Sequence, residues 1–333
     1  MAATVKIARL ALDIGAKKHA WAAECGSKSE SGSIDATPAE VSALIKRWMK
    51  GGPLQVLMEA TGIYYLDAAL VADELGATVR VINPRKAHHF AKAMGARNKT
   101  DTLDAAMLLE CLKRMAPTPW TRPREAMLAL RYYGRYLTQL TDDKVASSNR
   151  LHALSATRSS PASLRQDLKR SMGSIQKRID RLRKEAVTLI REDEELSRMF
   201  DALDSIKGVG EVAAVSLLAE LALLPRDMTS RACTAHAGLD PRVYESGTSV
   251  HKPPRISRQG NRHLRRALFH PALSAGTHDP GARALKERLQ AQGRKPMQAT
   301  VAIMRKLLTV AWAMVRNPQP YDSAKLFNLP GRA

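Results

Sequence analysis

The sequence has few cysteines and no long apolar run, and both shortages narrow the class of protein. Its three cysteines, Cys25, Cys111 and Cys233, are odd in number and far apart in a chain of 333 residues. This spacing argues against a disulfide framework or a cysteine-based zinc site, and we expect ordinary packed thiols. No apolar stretch approaches the roughly 20 residues that a membrane-spanning helix needs, so we expect no membrane segment. The N-terminal stretch lacks a small-residue cleavage site, which predicts a cytoplasmic protein without a secretion signal.

Acidic residues are also scarce relative to basic ones. The chain has 32 Asp plus Glu against 53 Lys plus Arg, a net charge of +21 and a pI near 10.2. This excess goes beyond what solubility requires and indicates a polyanionic partner. Because the basic residues extend along most of the chain, nucleic acid is favoured over a membrane surface. The 44% hydrophobic content predicts a sizeable core, divided between domains.

The first third of the chain, residues 1–123, alternates strand-like and helix-like segments. This alternation is typical of an α/β domain. The predicted elements are a strand at 5–14, a second hairpin strand over KKHAWAAE, a helix at 37–50, a strand over PLQVLME, a helix at 64–75, a strand over ATVRVIN and a helix from Pro84.

Residues 124–200 form a second region, in which the strand pattern gives way to long charged helices. After the turn-like SATRSSPAS, apolar residues recur at alternating steps of four and three, the spacing of a coiled-coil seam. The seam residues are Leu168, Met172, Ile175, Ile179, Leu182, Ala186 and Leu189. One interpretation of this pattern is an intramolecular helical hairpin. The other is an oligomerisation arm or a basic rod lying on nucleic acid. The pattern favours neither, and the two interpretations are compatible.

The third region, residues 201–333, is expected to be mainly α-helical. Gly208 and Gly210 lie between two short apolar helices, which resembles a helix-hairpin-helix whose glycines let backbone N–H groups approach a phosphate. A plain packing corner between two helices explains the same glycines. Farther on, a loop followed by a helix carries five arginines that could clamp phosphates. They are Arg255, Arg258, Arg262, Arg265 and Arg266.

Four acidic residues in the first region suggest a metal-dependent nuclease site. Asp13 and Glu59 each end an apolar strand, and Asp101 and Asp104 lie at i and i+3 on one helix. Singly, each has an ordinary explanation: a turn former, a loop residue or a helix cap. Together, four converging carboxylates would repel one another unless they bound Mg²⁺ or Mn²⁺, as in two-metal phosphoryl chemistry.

Several motifs resemble those of a known family. ALDIGAKKH, MEATGIY, INPRKAHHFAKAMGARNKTDTLDA and HAGLDPRVYESGTSV followed by RISRQGNRHLRRAL occur in this order over nearly the whole chain. The chain is thereby similar to the insertion-sequence 110 family of transposases, DEDD-type recombinases guided by a bridge RNA. The resemblance implies an N-terminal RuvC-like domain of ribonuclease H-type fold, a coiled coil and a C-terminal transposase domain.

The resemblance also implies roles for individual residues. Asp13, Glu59, Asp101 and Asp104 would be the DEDD quartet, holding Mg²⁺, and Ser246 would be the nucleophile, with Ser249 as the fallback. The implied partners are donor and target DNA, a noncoding guide RNA and further copies of the chain, as a dimer or a tetramer. The implied location is the cytoplasm of a bacterium or archaeon, with nucleoid association during activity.

Two other functions remain open from the sequence. A RuvC-like structure-specific nuclease would use water as its nucleophile and form no covalent adduct. A non-catalytic nucleic-acid-binding protein would need no carboxylates, and four of them hinder contact with a polyanion unless a metal reverses their sign. The chain departs from the family pattern at His251-Lys252-Pro253-Pro254, where two prolines are expected to stiffen a loop.

Overall fold

A computed structural model describes residues 6–62, 64–95, 100–246 and 250–323. Within these ranges, the side chains of 101, 102, 243–246 and 250–254 are not described. The chain divides into two compact units, Met1–Arg122 and Pro123–Ala333. Residues of the expected middle region pack with the C-terminal part, in the second unit. No helix in the described ranges is both long and apolar enough to cross a membrane.

In its described residues, the N-terminal unit consists of a five-stranded mixed sheet and four helices. Its sheet has the order β3-β2-β1-β4-β5, in which β1, β2 and β3 are antiparallel while β1, β4 and β5 are parallel. The elements in chain order are β1 (Ala8–Ile14), β2 (Lys18–Cys25), β3 (Lys28–Asp35), α1 (Pro38–Met49), β4 (Leu54–Glu59), α2 (Tyr65–Glu74), β5 (Thr78–Ile82), α3 (Pro84–Ala93) and α4 (Asp101–Met115). The predicted α/β organisation of this region is confirmed.

Strand β3 was not predicted from the sequence. It reads KSESGSID, and its residues are exposed or half-buried because it forms the edge of the sheet. It pairs with β2 along its whole length, and Gly32 lies against the ring of Trp21. A polar edge strand carries almost none of the apolar alternation from which strands are recognised.

Helices cover both faces of this sheet. On one face, α1 and α2 pack against alternate strand residues such as Leu10, Leu12 and Met58. On the other face, α3 and α4 pack against Ala11 and Leu57. This alternation decides which face each strand-end residue occupies.

Within the part of the chain that the structure describes, the C-terminal unit is helical apart from one β-hairpin. Its elements are α5 (Glu125–Ser155), α6 (Ala162–Arg191), α7 (Glu194–Asp204), α8 (Glu211–Leu221), α9 (Ser230–His236), β6 (Pro241–Ser246), β7 (Val250–Ile256), α10 (Arg262–His278), α11 (Pro280–Ala291) and α12 (Pro296–Arg316). The hairpin was not predicted: the sequence pattern indicated a loop here, yet Pro253 and Pro254 lie within β7. Because β6 and β7 form a sheet of two strands, both are edge strands, where proline is tolerated.

Helices α5 and α6 form an antiparallel hairpin. Arg124, before α5, pairs with Asp193, beyond the end of α6. Farther along, the Lys144 ammonium donates to the Gln176 side chain, so the two helices run in opposite directions. Buried seam residues such as Ile179 and Ala186 belong to the core of this unit. The intramolecular interpretation therefore accounts for the seam from Ile175 to Leu189. An oligomeric role stays a prediction.

Candidate active site and nucleic-acid interface

Asp13 and Glu59 occupy the same level of two neighbouring strands. In the parallel register of β1 and β4, Leu12 pairs with Met58, and the two acids are the next residues on each strand. Neighbouring strands lie about 4.8 Å apart, so residues at one level are side by side. Both carboxylates are half-buried. The sequence pattern placed them correctly at strand ends.

Both acids lie on the face of the sheet that α4 covers. Ala11 and Leu57, two residues before each acid, belong to the cluster formed with α4, and side chains alternate between faces along a strand. Across the antiparallel pair, the residue opposite Asp13 is Ala20. Ala20 belongs to the same cluster, which agrees with the face assigned to Asp13.

Helix α4 begins near this face with the other two acids in its first turn. Thr100 is its N-cap, and the Thr100 Oγ1 accepts from the backbone N–H of Leu103 at 3.3 Å. Capping by Thr100 leaves Asp101 as the first helical residue rather than the cap. Asp104 is half-buried, and the adjacent Ala105 is buried in the cluster with Ala11 and Leu57. The fold thus starts α4 with Asp101 and Asp104 and packs that helix on the face bearing Asp13 and Glu59.

The donor set fits a hard divalent cation, although a complete metal site is not shown. Among the residues whose side chains are described, no three Asp, Glu, His or Cys side chains form a metal-binding group, and the Asp101 side chain lies outside them. The Thr61 hydroxyl donates to Glu59 Oε1 at 3.3 Å. Carboxylate oxygens at the carboxyl ends of adjacent parallel strands are the ligand type that Mg²⁺ takes. The quartet therefore stays a prediction.

Ser246 is the last residue of β6 in the C-terminal unit. It pairs with Val250 across the end of the hairpin. The side chain of Ser246 and all of Ser249 lie outside the described residues. At the other end of the hairpin, the Ser257 hydroxyl donates to Asp240 Oδ1 at 2.5 Å, and its N–H donates to the Asp240 carbonyl at 2.9 Å. These two bonds close the base from which both strands extend.

Two arginines face each other just above that base. Arg242 on β6 pairs in register with Arg255 on β7, and both are exposed. Like charges directly opposite on neighbouring strands destabilise a sheet, and an anion bound between them removes that penalty. Arg255 was predicted from the sequence and Arg242 was not, because their pairing depends on a hairpin that the sequence pattern did not reveal.

The other predicted arginines divide into exposed and structurally engaged residues. Arg258 and Arg262 are exposed, and Arg258 has a left-handed backbone with φ of 52°. Arg265 donates to the Ala237 carbonyl at 2.8 Å, and burial together with the charge of Arg258 lowers its pKa. Arg266 forms an ion pair with Asp142. Arg258 and Arg262 are therefore better placed than Arg265 and Arg266 to contact a phosphate.

The two glycines of the GVG segment have different roles. A Cβ on Gly208 would lie 2.7 Å from the backbone N of Ala275 and 2.9 Å from the carbonyl of Pro271, so this glycine lets α10 pack closely. Gly208 therefore fits the packing-corner interpretation. Gly210 is the N-cap of α8, and a Cβ there would meet nothing within 4 Å. Both glycines line a groove of about 540 Å³. Gly210 has the open backbone that phosphate binding needs, and phosphate contact by either glycine stays a prediction.

A buried polar network that joins α5, α8 and the start of α10 was not predicted from the sequence. Glu220 on α8 is buried, accepts from Arg135 Nε at 2.6 Å and Nη2 at 3.1 Å, and accepts from Asn261 Nδ2 at 2.6 Å. Burial opposes ionisation of Glu220, but these bonds outweigh it and hold its pKa below the ordinary value. Burial lowers the pKa of nearby His236. An acid within the apolar run EVAAVSLLAEL was the available signal, because a buried charge requires a partner.

Comparison with known families assigns the chain to transposases. Residues 201–287 match the family described as Transposase IS116/IS110/IS902 family, and residues 10–155 match a second transposase family, the DEDD type of insertion sequence 110. The N-terminal match spans the strands and helix that carry the four acids. The C-terminal match spans the hairpin and the whole of α10. The chain belongs to the insertion-sequence 110 family of transposases, whose activity is the transposition and recombination of DNA.

Named relatives agree with this assignment. The chain is 30% identical over 271 residues to a pilin gene-inverting protein of Moraxella bovis, covering 81% of this chain and 82% of the relative. The pilin gene-inverting protein of Moraxella lacunata shows the same identity and coverage. The transposase for insertion sequence element IS1328 of Yersinia enterocolitica is 27% identical over 244 residues, covering 65% of this chain and 69% of that protein.

Proposed function

We propose that the chain cuts and rejoins DNA through a covalent serine–DNA intermediate, with a metal site in a RuvC-like N-terminal domain and guidance by a bridge RNA. The observation that carries this proposal is the placement of Asp13 and Glu59 at one level of adjacent parallel strands, on the face covered by α4. Gene inversion and insertion-sequence transposition, named for the relatives, both rearrange DNA.

Asp13, Glu59, Asp101 and Asp104 would hold Mg²⁺ or Mn²⁺. The fold supports this set because two of its members end β1 and β4 and the other two begin α4. When bound, the cation would neutralise phosphate charge and favour ionisation of the attacking hydroxyl. Without it, the carboxylates would repel the phosphate that they are to act on.

Ser246 is the proposed nucleophile. Its Oγ attacks the phosphorus of the scissile phosphodiester and releases its proton, while the bond from phosphorus to the leaving deoxyribose oxygen breaks and that oxygen takes up a proton. The serine ester conserves the energy of the broken bond. In the second step, a deoxyribose hydroxyl of the strand to be joined attacks the same phosphorus and releases Ser246 as a free hydroxyl. No external energy source is needed.

The basic surface supplies the nucleic-acid contacts in this proposal. Arg242, Arg255, Arg258 and Arg262 are exposed around the base of the hairpin that carries Ser246. Phosphate contacts of this kind position a backbone without reading its sequence. Base choice is assigned to pairing with the guide RNA, and assembly of two or four copies is part of the same proposal.

The proposal is tested by incubating the purified chain with its flanking noncoding RNA, Mg²⁺ and DNA, followed by denaturing electrophoresis. We expect a protein–DNA adduct with the wild type and with Ser249→Ala, and none with Ser246→Ala. A full-yield adduct with Ser246→Ala would overturn the serine assignment. Cleavage without any adduct would support the alternative nuclease that uses water.

A further inference from the structure

We propose that Glu220 and Asn261 form a positioning pair that fixes the base of the β6–β7 hairpin and thereby the location of Ser246. This inference rests on the proposed function. Neither residue is expected to touch DNA, because Glu220 is buried and the Asn261 amide already bonds Glu220 and the backbone of α10. The network extends from α5, through Arg135 and Glu220, to the residue that caps α10.

Asn261 uses both ends of its side-chain amide. Its Oδ1 accepts from the backbone N–H groups of His263 and Leu264 at 3.0 and 3.1 Å, which caps α10. Its Nδ2 donates to Glu220 Oε2 at 2.6 Å. An N-cap needs only an acceptor, and aspartate caps as well as asparagine does. The donor end is therefore available for a second task, which is to attach the start of α10 to α8.

The segment before Asn261 is held against the end of α9. The backbone N–H of Asn261 donates to the His236 carbonyl at 2.7 Å, and that of Arg258 donates to the Gly238 carbonyl at 3.0 Å. A Cβ on Gly260 would lie 2.1 Å from the His236 carbonyl oxygen, so the two backbones are in direct contact. Fixing Asn261 consequently fixes the whole segment 257–261.

The same segment contains the closing contact of the hairpin. Ser257 bonds Asp240 through both its hydroxyl and its N–H, and β6 and β7 extend from this contact. Six residues of strand span about 20 Å, so a rotation of about 3° at the base would move the Ser246 end by about 1 Å. A displacement of that size at a reacting group can cost about 100-fold in rate.

The charges around the pair define a test that separates positioning from simple stabilisation. Glu220 faces Arg131 and Arg135 of α5, His236 of α9 and His263 of α10. Asn261→Asp keeps the cap but turns its donor into a second carboxylate facing Glu220. Adding Glu220→Gln restores a hydrogen bond in the reverse direction. The oxygen of the new side-chain amide can accept from Arg135, and its nitrogen can donate to the carboxylate introduced at position 261.

The experiment measures adduct formation by full-length protein with flanking RNA, Mg²⁺ and DNA. We expect Asn261→Asp to reduce adduct formation per folded molecule by about 30-fold or more. The Glu220→Gln, Asn261→Asp double variant should return it to within about threefold of wild type. The single variant should recover partly below about pH 6, where the two carboxylates can share a proton, and wild type should not. A double variant no better than Asn261→Asp would overturn the proposal.

A second readout does not depend on which residue is the nucleophile. Amide hydrogen exchange over 241–246 and 250–256 should accelerate in Asn261→Asp and return to the wild-type rate in the double variant, while α12 remains protected. Asp142→Asn, which breaks the pair with Arg266 in the same unit, is the control and should leave hairpin exchange unchanged. Unchanged hairpin exchange in Asn261→Asp would overturn the positioning role even if Ser246 is the nucleophile. Accelerated exchange that the double variant reverses would support it even if another residue forms the adduct.

Discussion

Asp13 and Glu59 lie side by side at the ends of two hydrogen-bonded parallel strands, with Ala20 opposite Asp13 on the next strand. The spacing of neighbouring strands places the backbones of the two acidic residues about 4.8 Å apart. Two carboxylates on one half-buried face repel each other, and a bound cation converts that repulsion into attraction. The two acids lie at the carboxyl ends of β1 and β4, the edge of the sheet where α/β proteins commonly carry their active sites.

Removing either carboxylate should abolish DNA cleavage while leaving the fold intact. We expect Asp13→Asn and Glu59→Gln each to reduce cleavage by about 100-fold or more, because each removes a charge that holds the cation opposite the phosphate. Both variants should still unfold cooperatively, because each replaces a carboxylate by an amide of nearly the same shape. Gel assays of cleavage and thermal unfolding measure the two effects separately.

Asp35 supplies the matched control for those variants. It also ends a strand of the same sheet, but it is exposed and lies on the edge strand β3. Asp35→Asn should cleave DNA at the wild-type rate. If Asp13→Asn also cleaved DNA at the wild-type rate, the Asp13–Glu59 pair would have no role in cleavage.

The facing arginines Arg242 and Arg255 should contribute to nucleic-acid affinity rather than to stability. We expect either Arg→Ala variant to weaken DNA binding several-fold and to lower the slope of log K against log salt by about 1, the value for one lost phosphate contact. Stability should not fall, because a like-charged cross-strand pair is removed. Fluorescence anisotropy across a salt series measures the slope. Arg288→Ala, an exposed site on α11, controls for net charge, and an equal loss there would contradict a local phosphate site.

Gly208 and Gly210 should respond differently to substitution by alanine. Gly208→Ala places a Cβ 2.7 Å from the backbone N of Ala275 at a φ of 96°, so we expect a loss of about 2 kcal/mol or more in unfolding free energy. Gly210→Ala meets no atom within 4 Å and should cost under about 1 kcal/mol. Urea unfolding compares the two variants. Equal losses would show that close packing against α10 is not what Gly208 provides.

Acid should destabilise the C-terminal unit through His236. Its folded-state pKa lies below the ordinary 6.5 because the ring is buried, so unfolding takes up a proton in the window below 6.5. The stabilisation is complete above pH 6.5 and is lost as the pH falls toward the folded-state value. His236→Gln should therefore show a shallower fall in unfolding free energy between about pH 7 and 5, by at most about 1.4 kcal/mol per pH unit. An unchanged slope would mean that His236 is already accessible to protons in the folded chain.

The sequence predicted those elements whose burial is periodic. β1, β4 and β5 are apolar because the sheet is covered on both faces, and α1 follows the pattern of Val41, Leu44, Ile45 and Trp48. β3 was not predicted because an edge strand buries too few side chains to show an alternating apolar pattern. β6 and β7 were not predicted because their sequences, PRVYES and VHKPPRI, are rich in arginine, proline and polar residues and show no apolar alternation.

The candidate site was predictable to the extent that it depends on strand ends. Asp13 and Glu59 could be placed by reading where apolar runs stop, and Asp101 and Asp104 by helical spacing. Contacts between distant segments could not be read in the same way: the pairing of Arg242 with Arg255 and the bond from Asn261 to Glu220 join residues 13 and 41 positions apart. Such contacts arise from tertiary packing, which local patterns do not encode.

The most direct test of the central proposal is identification of the amino acid that is joined to DNA. After reaction with flanking RNA, Mg²⁺ and DNA, the adduct is digested with protease and nuclease, and the nucleotide-bearing peptide is sequenced by mass spectrometry. The proposal predicts a phosphodiester remnant on Ser246. A remnant on any other residue would contradict it.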